Sequence, residues 1–265
     1  MVGVLRDAAA ELEALGFGAL WIGGSPDITI AAPVLDATSR LVVATGIVSV
    51  WQQPAADAAA KVARLTGSER FVLGLGVSHE YSVPHYSKPY STMVDYLDAL
   101  DAATPPVAPA QRVLAALGPK MLRLSAERAA GAHPYMIPLA HTADARDLLG
   151  KDPLLAPEIN VVLETDPTVA RAAARAHVRP YLENMPNYTN NLRRYGFTDD
   201  DIRNGGSDRL IDALYLWGDD DHIHDRAAEY HAAGADHLAV QVVRTHPDAN
   251  PPLPEYRRIA AALIP

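Results

Sequence analysis

The 265-residue chain has no cysteine. Disulfides, thiolate nucleophiles and zinc–thiolate centres are therefore excluded. Basic residues are in deficit, with 23 Lys and Arg against 32 Asp and Glu and a formal net charge of −9. That balance argues against nucleic acid or an anionic membrane as a partner. A small anionic ligand is still compatible with it, because a local pocket can oppose the global charge. No apolar run approaches the roughly 18 residues that a spanning helix needs. The opening stretch MVGVLRDAAAELEAL is an amphipathic helix pattern with acids inside it. It lacks the basic region and apolar core of a signal peptide. The expectation is a soluble cytoplasmic protein without a nucleic-acid or membrane partner.

What is abundant is apolar material, at 49% of residues, and it is arranged in a repeating order. Leu5, Ala8, Leu12 and Leu15 share one helical face, and Gly16 suits the left-handed cap that ends a helix. The run Ala19-Leu20-Trp21-Ile22 is short and continuously apolar, as in a parallel strand buried on both faces. The unit then repeats. Segments 18–23, 41–48, 70–77, 112–117, 132–137, 159–164 and 237–243 read as strands, with helical patterns between them. Asp166-Pro167 reads as a helix cap followed by the first helical residue. Such alternation implies βαβ units and a parallel sheet. The length fits a (β/α)8 TIM-type barrel of α/β class, about 250 residues in its usual form, as a single domain over 1–265. An eighth strand has only Val2-Gly3-Val4 to draw on, so the first strand is expected to be short or missing. Residues 184–217 break the rhythm and read as a helical excursion before the last unit.

In a barrel of this kind the chemistry lies at the C-terminal ends of the strands. His79 follows the run FVLGLGV and precedes Glu80 and Tyr81. A histidine there can exchange protons near neutral pH; the bland reading is a solvated loop residue. Gly74-x-Gly76 lacks the third glycine of a dinucleotide fingerprint, and no helix follows directly. Room for a flat ring against the strand explains the pair better. Leu117-Gly118-Pro119-Lys120 opens a helix whose free N–H groups can hold a phosphate, although any helix start offers some. His222-x-His224 reads as an exposed helical pair behind acidic cap residues, since residues two apart do not face each other. No metal site is expected.

Several stretches are familiar together: ALGFGALWI (14–22), RLVVATGIVSVW (40–51), RFVLGLGVSH (70–79), VLAALGPKMLRLSAERAAGAHPY (113–135), LLAPEINVVLETDP (154–167) and NLRRYGFTDDD (191–201). In order and over nearly the whole chain, they resemble the luciferase-like monooxygenase superfamily, in particular its actinobacterial F420-dependent oxidoreductases. The resemblance implies a deazaflavin or flavin ring at the C-terminal mouth, supported by a strand bulge that often contains a non-prolyl cis peptide. The corresponding residues are Gly46, Ile47, Val48 and Ser49. Ser78 and His79 would supply ring-edge and substrate contacts. Ala115, Ala116 and Gly118 would admit the phosphate-bearing tail. The activity implied is hydride transfer between coenzyme F420 and a small organic substrate, with His79, or less readily Glu80, moving the proton. An FMN-dependent monooxygenase and a non-catalytic binding barrel are the alternatives. A homodimer is the implied assembly.

Overall fold

The computed structural model describes residues 2–248 and 250–264. The chain divides into two compact units, Met1–His133 and Pro134–Pro265. Every strand pairing described within each unit is parallel. Among the described residues, no helix is long and apolar enough to cross a membrane.

The first unit alternates helices and strands: α1 (Val2–Ala14), β1 (Ala19–Gly23), α2 (Ala32–Ala37), β2 (Val42–Gly46), β3 (Val48–Ser49), α3 (Ala55–Val62), β4 (Phe71–Gly76), α4 (Pro89–Asp101), β5 (Arg112–Leu114), α5 (Pro119–Arg128) and β6 (Gly131–Ala132). The sheet runs β1-β2-β4-β5-β6, with β3 paired to the end of β4. Strand alternation sends Leu20, Ile22, Val43, Phe71, Leu73 and Leu75 to the helix side, where they join one buried core. At α1's exit the Glu13 carboxylate accepts from the N–H groups of Ser39, Arg40 and Leu41. Those three bonds tie the first helix to the start of β2, and they hold the Glu13 carboxyl down at about 2, chiefly through Arg40.

The second unit contains α6 (Leu139–Leu149), β7 (Leu154–Leu155), β8 (Glu158–Val162), α7 (Pro167–Asn184), α8 (Pro186–Arg194), α9 (Asp199–Ile202), α10 (Asp208–Leu214), β9 (Tyr215–Trp217), α11 (Asp220–Ala232), β10 (Ala239–Val242) and α12 (Leu253–Leu263). Three of its strands pair in the order β10-β8-β9. Asp166 caps α7 as its sequence suggests, accepting from the N–H groups of Thr168 and Val169 ahead of Pro167.

The sequence reading differs from the structure at several points, β7 among them, which none of the expected strand segments contains. Val2-Gly3-Val4 lies inside α1, so those residues do not supply a short first strand. Helix pattern wins there because the apolar positions continue at helical spacing into Leu5 and Ala8. The segment 41–48 is two strands, broken between Gly46 and Val48. Segment 112–117 contributes only the three residues of β5, and of segment 132–137 only Ala132 is in a strand, since β6 begins at Gly131. The excursion 184–217 does contain helices α8 to α10, but it ends in β9, whose Tyr215, Leu216 and Trp217 pair with Asn160, Val161 and Val162.

Candidate active site

The site follows from the break in β2. Register pairs Gly23 with Gly46, and pairing resumes only at Val48 with Leu75. The intervening Gly46–Ile47 peptide bond is cis. A side chain substitutes for the interrupted ladder. Thr45 Oγ1 accepts from Gly74 N–H at 2.9 Å and donates to Gly74 O at 3.0 Å, in a fully buried position. Beyond the break, Ser49 N–H donates to Ser25 Oγ, which itself donates to Gln52 Oε1.

Behind the break lie the two glycines of β4. A Cβ at Gly74 would stand 1.8 Å from Thr45 O, and one at Gly76 would stand 2.5 Å from Ile47 Cδ1. The sequence reading reserved this space for a flat ring. The structure corrects that: the bulge itself fills the space, and the glycines let its backbone approach.

The expected residues divide accordingly. Ile47, Gly76 and Ala115 meet, since a Cβ on Gly76 would lie 3.4 Å from Ala115 Cβ. Ser49 is fully buried and pairs with Gly76, and its Oγ has no hydrogen-bond partner. Val48 turns its side chain into the helix-side core, so only its backbone lines the bulge. Ala116 is buried. Gly118 is the N-cap of α5 with no side-chain cap bond. Pro119 carries no N–H, and the N–H groups of Met121 and Leu122 both donate to Gly118 O, so in the first turn of α5 it is the Lys120 N–H that stands nearest to an anion without a described backbone bond.

Ser78 adopts φ +54° just past β4, and His79 is half-buried, its carbonyl accepting from Ser82 N–H. Glu80 is exposed, and its charge adds to burial in pushing the Tyr86 hydroxyl up. Trp51 Nε1 donates to Val77 O and its ring meets Tyr86 at 5.5 Å, fixing the loop that carries both residues.

Two residues that the sequence reading passed over lie on the inner face. Trp21 of β1 and His133, just past β6, stack with centroids 4.0 Å apart and 10° between planes. Trp21 occupies an alternate position of an otherwise core-directed strand, which was a usable signal; His133 had none beyond its strand end.

In the second unit a cleft of about 530 Å³ is bordered by Asp212, Trp217, Asp219, His222 and Arg226. Its acids are engaged: Arg171 grips Asp212 at 2.9 and 2.6 Å, and Asp219 accepts from His222 N–H as the cap of α11. His224 meets Ala262 O through Nδ1, and it does not converge with His222 on a common point.

The family model of the luciferase-like monooxygenases matches residues 3–237. The chain belongs to this family. Its fold recurs in an F420-dependent secondary alcohol dehydrogenase in complex with an F420–acetone adduct, 13% identical, TM-score 0.71, covering 97% of this chain and 92% of that one. It recurs in the coenzyme F420-dependent tetrahydromethanopterin reductase of Methanopyrus kandleri, 14% identical, TM-score 0.74, with coverage of 100% and 95%. The FMN-bound oxygenating constituent of 3,6-diketocamphane monooxygenase from Pseudomonas putida gives 14% identity, TM-score 0.66, and coverage of 99% and 93%. No curated protein sequence matches significantly. The family is one of TIM-barrel oxidoreductases and monooxygenases, and the expected α/β barrel class stands. The structural neighbours include proteins named for either cofactor.

Proposed function

We propose that this chain is an F420-dependent oxidoreductase that moves a hydride between the deazaflavin and a small organic substrate, acting as a cytoplasmic homodimer. The observation that carries the reading is the bulge after Gly46, backed by Gly74 and Gly76 so closely that no side chain fits between. A rigid backbone ledge at a strand end suits a planar ring pressed against it. The buried Ser49 Oγ, without a partner, is a group that a bound ring would satisfy. The residues present therefore fit the cofactor. Ile47 and Ser49 would support the ring, and Ala115, Ala116 and Gly118 would leave room for the phosphate-bearing tail at the start of α5.

Bound F420 supplies a hydride-carrying ring carbon. The protein's own part is to orient the ring, keep water out of the mouth, and deliver or take up the matching proton. His79 carries that proton at an imidazole nitrogen, from a loop held by Trp51 and Tyr86. Titration of the purified protein with F420 and with FMN, followed by fluorescence, tests the reading. Saturable binding of F420 alone is the expected result. Binding of FMN alone replaces the reading with a flavin monooxygenase, and binding of neither with a non-catalytic barrel.

A further inference from the structure

The Trp21–His133 stack does something that neither residue's neighbourhood in sequence indicates. In the first unit's sheet order, β1 and β6 stand at opposite ends, separated by β2, β4 and β5. A flat sheet would hold its end strands four spacings apart, about 19 Å. Instead the two rings lie 4.0 Å apart. The sheet is therefore curled into a half-barrel, and the stacked pair is a strut across its concave face.

Register fixes the depth of that strut. Trp21 pairs with Ala44, two residues below Gly46, and Gly23 pairs with Gly46 itself. His133 continues the β5–β6 pairing by donating its N–H to Leu114 O, one residue below Ala115. A Cβ on Gly46 would lie 3.6 Å from His133 Nε2 and 3.8 Å from Trp21 Cβ. The stack therefore sits directly beneath the bulge, towards the base of the concave face, while Ile47, Ser49 and Ala115 stand above it. His133 is 2% exposed. It presents the flat side of its ring to Trp21, and its Nε2 faces Gly46.

We propose that the Trp21–His133 stack is the floor of the ring site, and that His133 is a positioning residue which acts through Trp21 and Gly46. The inference rests on the functional reading above. A planar ring lying against the bulge needs a surface that stops it sinking along the concave face. Two aromatic planes spanning the half-barrel supply one, and Gly46 meets them with no side chain between. His133 serves here by shape and stacking, and His79 keeps the proton. This separates the two histidines chemically: replacing His133 by another flat ring preserves its role, while replacing His79 by one does not.

The experiment compares His133→Ala, His133→Phe and wild type, each titrated with F420 and with FMN, with thermal unfolding recorded alongside. In whichever cofactor the wild type binds, His133→Ala is expected to weaken affinity at least tenfold and to shift the absorbance maximum of the bound ring. His133→Phe, which keeps the stack, is expected to stay within threefold of wild type with the wild-type spectrum and an unchanged pH profile of binding. If His133→Ala does not fold, Trp21→Leu removes the stack from the other side and is read in the same way. Equal affinity in a folded His133→Ala or Trp21→Leu protein overturns the proposal. So does a folded His133→Phe protein that binds as poorly as His133→Ala, since an imidazole nitrogen would then be the group that counts. Failure of the wild type to bind either cofactor overturns the functional reading itself, which is a different result from any of these.

Discussion

Gly74→Ala probes the packing behind the bulge. The added methyl would stand 1.8 Å from Thr45 O, a backbone atom that cannot rotate aside. Carbon and oxygen approach no closer than about 3.3 Å, so β2 and β4 must separate locally by roughly 1.5 Å. That movement also stretches both Thr45 Oγ1 bonds to Gly74, now 2.9 and 3.0 Å and fully buried. Overpacking costs about 1–3 kcal/mol, and each buried hydrogen bond lost adds about 1 kcal/mol. The sum is on the order of 3–5 kcal/mol. For a chain of this length each kcal/mol lowers Tm by about 2–4 °C, so a fall of about 6–20 °C is expected by calorimetry or circular dichroism. Gly76→Ala is the control. Its nearest obstacles are Ile47 Cδ1 and Cγ1, at 2.5 and 2.7 Å, and they belong to a side chain that can change rotamer. The cost there should be about 1 kcal/mol, from an off-rotamer side chain, with the loss appearing in cofactor affinity because Ile47 moves. A Gly74→Ala protein as stable as Gly76→Ala would refute the claim that the bulge backbone occupies the glycine space.

The remaining expectations are more local. His79→Ala should hold F420 affinity within about tenfold while turnover falls by about a hundredfold or more, the range of a positioned acid–base group; stopped-flow hydride transfer measures it, and normal turnover with poor binding would make His79 a cofactor contact. Gly118→Leu should weaken cofactor binding by crowding the uncapped start of α5, and unchanged affinity in the folded variant would place the tail elsewhere. Glu13 has a carboxyl lowered from 4.5 to about 2, so its contribution to stability is fully present above about pH 4.5 and disappears as the pH falls through 2. Glu13→Gln should therefore flatten the acid side of the stability curve in urea unfolding, and an identical pH slope would count against the three backbone bonds.

Legibility in the sequence tracked how much of each element's role is local. The helices α5 and α7 announce themselves by proline at the first turn, and α3 by apolar spacing behind its N-cap Pro54. The strands β1 and β4 announce themselves by continuous apolar runs. β9 does not, because three residues following an apolar helix end carry no period of their own. It exists as a strand only through its pairing with β8, a tertiary contact. The position of the bulge was legible through family resemblance, on the residues Gly46, Ile47, Val48 and Ser49. Its inward and outward faces were not, and Val48 went to the core.

Gly74-x-Gly76 shows where reading from residues alone stops. Two alternate glycines on a buried strand say that something approaches the backbone closely on one face. They do not say what approaches. A ligand ring and a neighbouring strand demand the same absence of side chains, so the pattern is identical for both. Only distances decide, and here they assign the space to Thr45 O and Ile47. The consequence reaches function. If the glycines hold the bulge, a ring lies against the bulge and not in the space beside Gly74 and Gly76, with the unpartnered Ser49 Oγ buried at the bulge and the Trp21–His133 stack bounding the concave face from below. The candidate site is thus set by a ledge whose position depends on β4 and a floor that depends on β1 and β6. No window of sequence contains both.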